Sequence, residues 1–147
     1  MNPLTIILLG VCIAIVAFFS RKQKPKRVEI FLDISGSMPI TKAMEDIVEM
    51  LGEMRQDIQV SFSTFSQAIQ GRFDFNTTVE ASLYLNDKPF VLNLLQAAGG
   101  GTDYTCISKA VIQPYDYVFV ITDEAEDCRA KLSDLKNLTV HSCLVAS

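Results

Sequence analysis

The first hydrophobic feature of the chain is a block rather than a periodic pattern. Pro3 to Phe19 reads PLTIILLGVCIAIVAFF, 17 residues without a charge, and as a helix at about 1.5 Å per residue it would span roughly 26 Å of hydrocarbon. No polar face exists at any helical spacing, which argues against a buried core helix. Nothing basic precedes the block and Phe18-Phe19-Ser20 offers no small-x-small cleavage site, so a cleaved signal peptide is disfavoured. Val11 ahead of Cys12, where a small residue would be wanted, argues against a lipoprotein signal. The expected organisation is a transmembrane signal-anchor over residues 1–20, a basic linker over 21–27 and one domain over 28–147.

Beyond the linker the pattern becomes periodic. Val28 to Ile34 (VEIFLDI) is a nearly continuous apolar run of β-formers, as expected of a central strand buried on both faces. Pro39 stands where a helix's first turn tolerates it, and Ile40, Ala43, Met44, Ile47, Val48, Leu51 and Met54 recur at three- and four-residue spacing with Glu45, Asp46, Glu49 and Glu53 opposite, predicting an amphipathic helix. Ile58 to Phe65 alternates as a second strand, and Gly71 to Phe75 reads as a shorter, antiparallel edge. Residues 76–86 carry no decisive pattern. Asp87 can then cap a helix with Pro89 early and an apolar stretch from Phe90 to Ala98, stopped by Gly99-Gly100-Gly101. A helix over Tyr104–Gln113, a doubly buried strand over Tyr117–Thr122 (YVFVIT), a short helix over Cys128–Leu135 and a last strand over Thr139–Val145 complete the reading. Strands alternating with helices predict an α/β domain whose mostly parallel sheet of about five strands is covered on both faces.

Charge sharpens this division. Arg21, Lys22, Lys24, Lys26 and Arg27 cluster in the linker, so Val28 to Ser147 holds eight basic residues against 17 acidic ones, a net charge of −9. An acidic domain repels phosphate backbones, which excludes nucleic-acid binding through a basic patch, and a chain that is 49% hydrophobic is no disordered tail. Because positive residues stay cytoplasmic, the domain is expected in the cytosol. There Asn76-Thr77-Thr78 and Asn137-Leu138-Thr139 are chance matches to a glycosylation pattern, and Cys106, Cys128 and Cys143, without a CxxC, are expected as reduced, partly buried thiols.

Candidate chemistry sits where strands end. Asp33-Ile34-Ser35-Gly36-Ser37 closes the first strand, Thr122-Asp123 closes the fourth, and Gly99-Gly100-Gly101-Thr102-Asp103 is a flexible turn between them. In an open parallel sheet, ligands bind outside the carboxyl ends of the strands where strand order reverses. Asp33, Ser35, Ser37, Thr102 and Asp123 supply only oxygen donors, which suits Mg²⁺, Mn²⁺ or Ca²⁺ rather than zinc. Taken singly, Asp33 could be a turn former and Ser35, Ser37, Thr102 and Asp103 helix caps. Taken jointly, three such coincidences would have to fall at one sheet edge.

The three segments together resemble the von Willebrand factor A (vWA) domain and its metal-ion-dependent adhesion site. DISGSM matches Asp-x-Ser-x-Ser from Asp33 to Ser37, GGGTD matches the second motif with Thr102, and ITD the third with Asp123, in order along residues 28–147. The resemblance implies a compact Rossmann-like fold in which Ser35 and Ser37 touch the metal directly, Thr102 directly or through water, and Asp33 and Asp123 largely through water and hydrogen bonds. It also implies a partner protein that offers a Glu or Asp to the open coordination position. Bacterial members anchored in membranes often work with AAA+ ATPases, and others belong to larger assemblies. Two departures matter: Glu124 stands where the family commonly has Gly, followed by Glu126 and Asp127, and five strands are counted where six are usual.

The function expected is therefore a membrane-anchored, single-pass module that binds a divalent cation and a partner protein and is not an enzyme. A metal-dependent hydrolase is the rival from another class, but the lone His141 falls in a strand, no Ser/His/Asp or Cys/His set can be built around these loops, and only Glu124 remains as a base. A metal-free scaffold is the third reading, and phosphate binding by GGGTD lacks the P-loop lysine. Topology is directly testable. A membrane-impermeant thiol reagent is expected to label no domain cysteine in intact cells and to reach the exposed ones after lysis; labelling before lysis would reverse the orientation.

Overall fold

The computed structural model describes residues 27–111 and 117–144. The anchor, the linker up to Lys26, the end of the helix predicted to reach Gln113 and Val145 of the predicted last strand lie outside the described residues. Among the described residues no helix is long and apolar enough to cross a membrane.

Five strands form one mixed sheet in the order β3-β2-β1-β4-β5, with β1 at Arg27–Asp33, β2 at Gln59–Phe65, β3 at Ile69–Phe75, β4 at Tyr117–Thr122 and β5 at Leu138–Ser142. Strand β1 is central and parallel to both β2 and β4, β5 is parallel to β4, and β3 alone is antiparallel. Strand order therefore reverses beside β1: the chain leaves it first toward β2 and later returns on its other side as β4. That reversal opens a crevice at the carboxyl ends of β1 and β4.

Burial of β1 on both faces follows from its helices. On one side Val28, Ile30 and Leu32 pack with Ile40, Ala43, Met44, Ile47 and Leu51 of α1 (Ile40–Glu53) and with Leu85 and Leu94 of α2 (Thr78–Leu85) and α3 (Lys88–Ala97). On the other, Phe31 packs with Ile107 of α4 (Thr105–Ala110), Cys128 of α5 (Ala125–Lys131) and Leu132. The one charge inside the strand, Glu29, is buried too, and accepts from Ser63 Oγ at 3.4 Å with the Arg72 guanidinium at 3.7 Å. A buried carboxylate persists only with such partners.

Helix α2 occupies the stretch that carried no decisive pattern. Its apolar residues do not share a face, since Ala81 and Leu85 are buried while Val79 and Leu83 are 47% and 73% exposed. What starts it is capping: the Thr77 hydroxyl accepts from Glu80 N–H at 3.1 Å, and the Glu80 carboxylate reaches back to Asn76 N–H at 3.3 Å. Helix α5 begins three residues earlier than predicted, because Glu126 and Asp127 form its first turn, where carboxylates favour the positive helix end, and Arg129 and Lys131 its last. Leu132 and Leu135 follow as a turn.

Packing on the α1 face predicts a contrast. Ile47→Ala, at a fully buried position, is expected to remove about 2–5 kcal/mol of stability, and Leu83→Ala to change it by less than about 0.5 kcal/mol. Urea denaturation of the two variants measures both, and equal losses would contradict the packing.

Candidate metal centre

Asp33 is the last residue of β1 and fully buried. Its Oδ1 accepts from Ser35 N–H at 2.8 Å, the local turn that an Asp two residues ahead makes, and its Oδ2 accepts from the Thr122 hydroxyl at 2.8 Å across the crevice. Thr122 has one hydroxyl proton and gives it to Asp33, so in the 2.7 Å contact between the Thr122 and Tyr104 hydroxyls it is Tyr104 that donates. Glu124 N–H donates to the same Thr122 oxygen at 3.3 Å. Burial pushes the Tyr104 phenol well above its ordinary value, so it stays a donor throughout the neutral range.

The loops that close the crevice are tied together through backbone. Gly99 N–H donates to Ile34 O at 2.8 Å, Gly36 N–H to Gly100 O at 3.2 Å, and Asp103 N–H to Ser66 O at 2.8 Å. Gly100 has φ of 80°, a left-handed conformation in which a side chain would be strained. The structure thus draws Asp33, the Ser35 loop, the glycine turn ahead of Thr102, and Asp123 to one sheet edge. Ser35 is buried, Thr102 and Asp123 half-buried and Ser37 exposed. Asp103 caps α4 instead, accepting from Thr105 N–H at 3.0 Å and its hydroxyl at 2.7 Å; these bonds hold its carboxyl below the ordinary value.

Two buried oxygens here have no hydrogen-bond partner, Ser35 Oγ and Asp123 Oδ1. An unsatisfied buried group costs about 1–3 kcal/mol, and a hard cation beside both would satisfy them, so the donor set fits the divalent ions expected from the sequence. Among the described residues no group of three or more His, Cys, Asp or Glu is arranged for a metal; the candidate centre is of another kind, two carboxylates with three hydroxyls. His141 is engaged elsewhere, its Nε2 3.0 Å from Asp46 Oδ2 on α1. Burial opposes ionisation of Asp46, but His141 and Lys42 outweigh it and hold its carboxyl below the ordinary value. Cys128 lies buried under α5, its thiol pushed up to about 12 by that burial, an inert position.

Thr122 and Tyr104 were not singled out from the sequence as positioning residues. Thr122 was visible within ITD, but only the parallel pairing of β1 and β4 brings it against Asp33. Tyr104 gives no signal of its own, since its hydroxyl matters only after α4 has packed.

No family model and no curated protein sequence matches the chain. Among solved structures the chain is similar to an aerotolerance-related membrane protein from Bacteroides fragilis carrying multiple mutations to serines, with 20% identity, a TM-score of 0.49, and 78% of this chain and 65% of that one covered. It is similar also to the conserved hypothetical protein BatB from Bacteroides thetaiotaomicron, with 22% identity, a TM-score of 0.49, and 80% and 65% covered. A von Willebrand factor type A structure from Catenulispora acidiphila has 17% identity and a TM-score of 0.46 over 80% of this chain and 32% of that one. The chain thus spans 65% of the length of each of the first two.

The bonds around Asp33 predict an order of stabilities. Tyr104→Phe removes one neutral hydrogen bond and is expected to lose about 1 kcal/mol; Thr122→Val strips a donor from a buried carboxylate and is expected to lose more, about 1.5–3 kcal/mol. Denaturant titration checks the order, and its reversal would contradict the assigned direction of donation.

Proposed function

We propose that the chain is a membrane-anchored, vWA-like interaction module that holds a divalent cation, Mg²⁺ first among Mg²⁺, Mn²⁺ and Ca²⁺, and captures a carboxylate of a partner protein through it. The observation that carries this reading is the pair of unpartnered buried oxygens, Ser35 Oγ and Asp123 Oδ1, at the crevice where Asp33 is already fixed. Asp33, Ser35, Ser37, Thr102 and Asp123 would hold the ion. Three of the five are neutral hydroxyls, and both oxygens of Asp33 already accept from Ser35 N–H and the Thr122 hydroxyl, so direct ligands would meet the ion's charge only in part and leave a partner's Asp or Glu attractive to it.

Placement favours the same reading. Arg27 begins β1 at the end of the sheet opposite Asp33, and a strand of seven residues is about 23 Å long. A domain tethered through residues 21–27 to an anchor over 1–20 would present the crevice away from the bilayer, toward the cytosol, to a partner such as an AAA+ ATPase or a membrane assembly. The hydrolase reading finds little support: His141 is bound to Asp46, and Glu124 is exposed at the start of α5 with no side-chain cap bond. The metal-free scaffold remains the alternative that a titration separates.

Calorimetry with Mg²⁺ on the full chain in detergent is the test. Ser35→Ala, Ser37→Ala and Asp33→Ala are each expected to weaken binding about tenfold or more. With Mg²⁺ at about 100 times its dissociation constant, the parent is expected to gain about 2.7 kcal/mol of stability. If all three variants bind as the parent does, or the parent binds nothing, the metal assignment is wrong.

A further inference from the structure

We infer that Thr122 and Tyr104 are positioning residues for the cation, a relay of two hydroxyls that sets how tightly the crevice holds the ion although neither is a ligand. This rests on the metal-dependent reading of the crevice and adds to it what governs affinity there. A threonine hydroxyl has one proton and two lone pairs. Thr122 Oγ1 gives its proton to Asp33 Oδ2 at 2.8 Å and accepts from the Tyr104 hydroxyl at 2.7 Å and from Glu124 N–H at 3.3 Å. Its whole capacity is used, so it has nothing to offer an ion and acts through its neighbours.

Those neighbours are the candidate ligands. With Oδ2 of Asp33 held by Thr122, Oδ1 is left to Ser35 N–H at 2.8 Å, which sets the loop carrying the unpartnered Ser35 hydroxyl. The bond from Glu124 N–H back to Thr122 Oγ1 closes the chain around Asp123, whose Oδ1 is buried and also without a hydrogen-bond partner. Thr102 stands two residues ahead of Tyr104. One pair of hydroxyls thus ties together the three segments that carry Asp33, Thr102 and Asp123.

Burial makes the relay strong, and packing makes its hydroxyls separable from the fold. Thr122 is fully buried and Tyr104 is 2% exposed, so two bonds in series away from water polarise one another. The Tyr104 ring lies in the core with Phe31 and Ile107, its centroid 5.9 Å from that of Phe65. That packing holds the ring whether or not the hydroxyl is present. Groups placed one bond behind the ligands in this way are typically worth about 10–100-fold in metal affinity.

The test is calorimetric titration of Mg²⁺ into the full chain in detergent, on parent and variants whose circular dichroism shows them folded. Thr122→Val is expected to weaken binding about tenfold, and Tyr104→Phe, which keeps the ring, about threefold. Thr122→Ser keeps the hydroxyl and is expected to bind within about twofold of the parent. Because the bonds act in series, Tyr104→Phe added to Thr122→Val is expected to change affinity less than about twofold, whereas independent effects would multiply to about thirtyfold. Ile47→Val, a truncation in the core of α1, is expected to lower stability but to bind as the parent does. Should Thr122→Val not fold, Tyr104→Phe and Thr122→Ser decide between them. Parental affinity in Tyr104→Phe, a tenfold loss in Thr122→Ser, a multiplying double variant, or an equal loss in Ile47→Val would overturn the inference; a Ser35→Ala that still weakens binding would leave the metal reading standing. Failure of the metal reading appears separately, as a parent that binds no Mg²⁺ or binds it indifferently to Ser35→Ala, and the inference falls with it.

Discussion

The carboxylate of Asp33 is the joint on which the crevice depends. It is buried at the end of the central strand, one oxygen held by the N–H of its own loop and the other by a hydroxyl from β4. The two bonds link residues 2 and 89 positions apart, so one side chain fixes both the turn after β1 and the relation of β1 to β4 at the point where strand order reverses. The Thr122 bond tolerates no apolar replacement of its donor, because a buried carboxylate oxygen without a donor is costly, whereas the Ser35 donor is backbone and is lost only to proline. The Tyr104 hydroxyl then orients Thr122, which adds α4 to the same network.

That network gives the sheet two unlike ends. Where β1 begins, Arg27 pairs in register with Gln59, and the sequence before it is basic. Where β1 and β4 end, hydroxyls and carboxylates gather and the exposed residues of α5 add more negative charge. Between these ends Glu29 is the one buried charge among the described residues, and Ser63 and Arg72 reach it. The polarity of parallel strands produces this separation: all carboxyl ends point one way, and every loop that can carry chemistry emerges there.

How much of this was legible in the sequence depends on how local the cause was. The core strands and α1 were, because apolar runs and three- and four-residue spacing are set by burial against a sheet. The candidate site residues were legible as motifs, since each motif is one short contiguous segment, two of them at the ends of β1 and β4. Helix α2 was not, for its exposed Val79 and Leu83 blur the periodicity, although Thr77 and Glu80 carried a capping signal in plain view. The start of α5 was missed because an acidic run reads equally as loop and as the first turn of a helix. Glu29 looked like an incidental charge in an apolar run; its burial depends on Arg72, 43 positions away on another strand, and no local pattern encodes such a partner. Thr122 and Tyr104 fall in the same class.

The unsatisfied oxygens of Ser35 and Asp123 also bear on what kind of centre this can be. Left without any partner, the two would cost roughly 2–6 kcal/mol together, a sizeable fraction of the net stability of a small domain, about 5–15 kcal/mol. Yet neither Ser35 nor Asp123 belongs to either core cluster, on one face of the sheet or the other. A domain of this kind can fold first and bind later, unlike a zinc finger whose core is the metal. A cation entering such a preformed crevice would relieve a local cost without being needed for folding, so its occupancy could change with concentration or with a partner's carboxylate while the domain stays intact. Reversible, partner-linked occupancy is what the proposed centre would require, and unsatisfied groups on loops with the packing energy on the sheet are compatible with it.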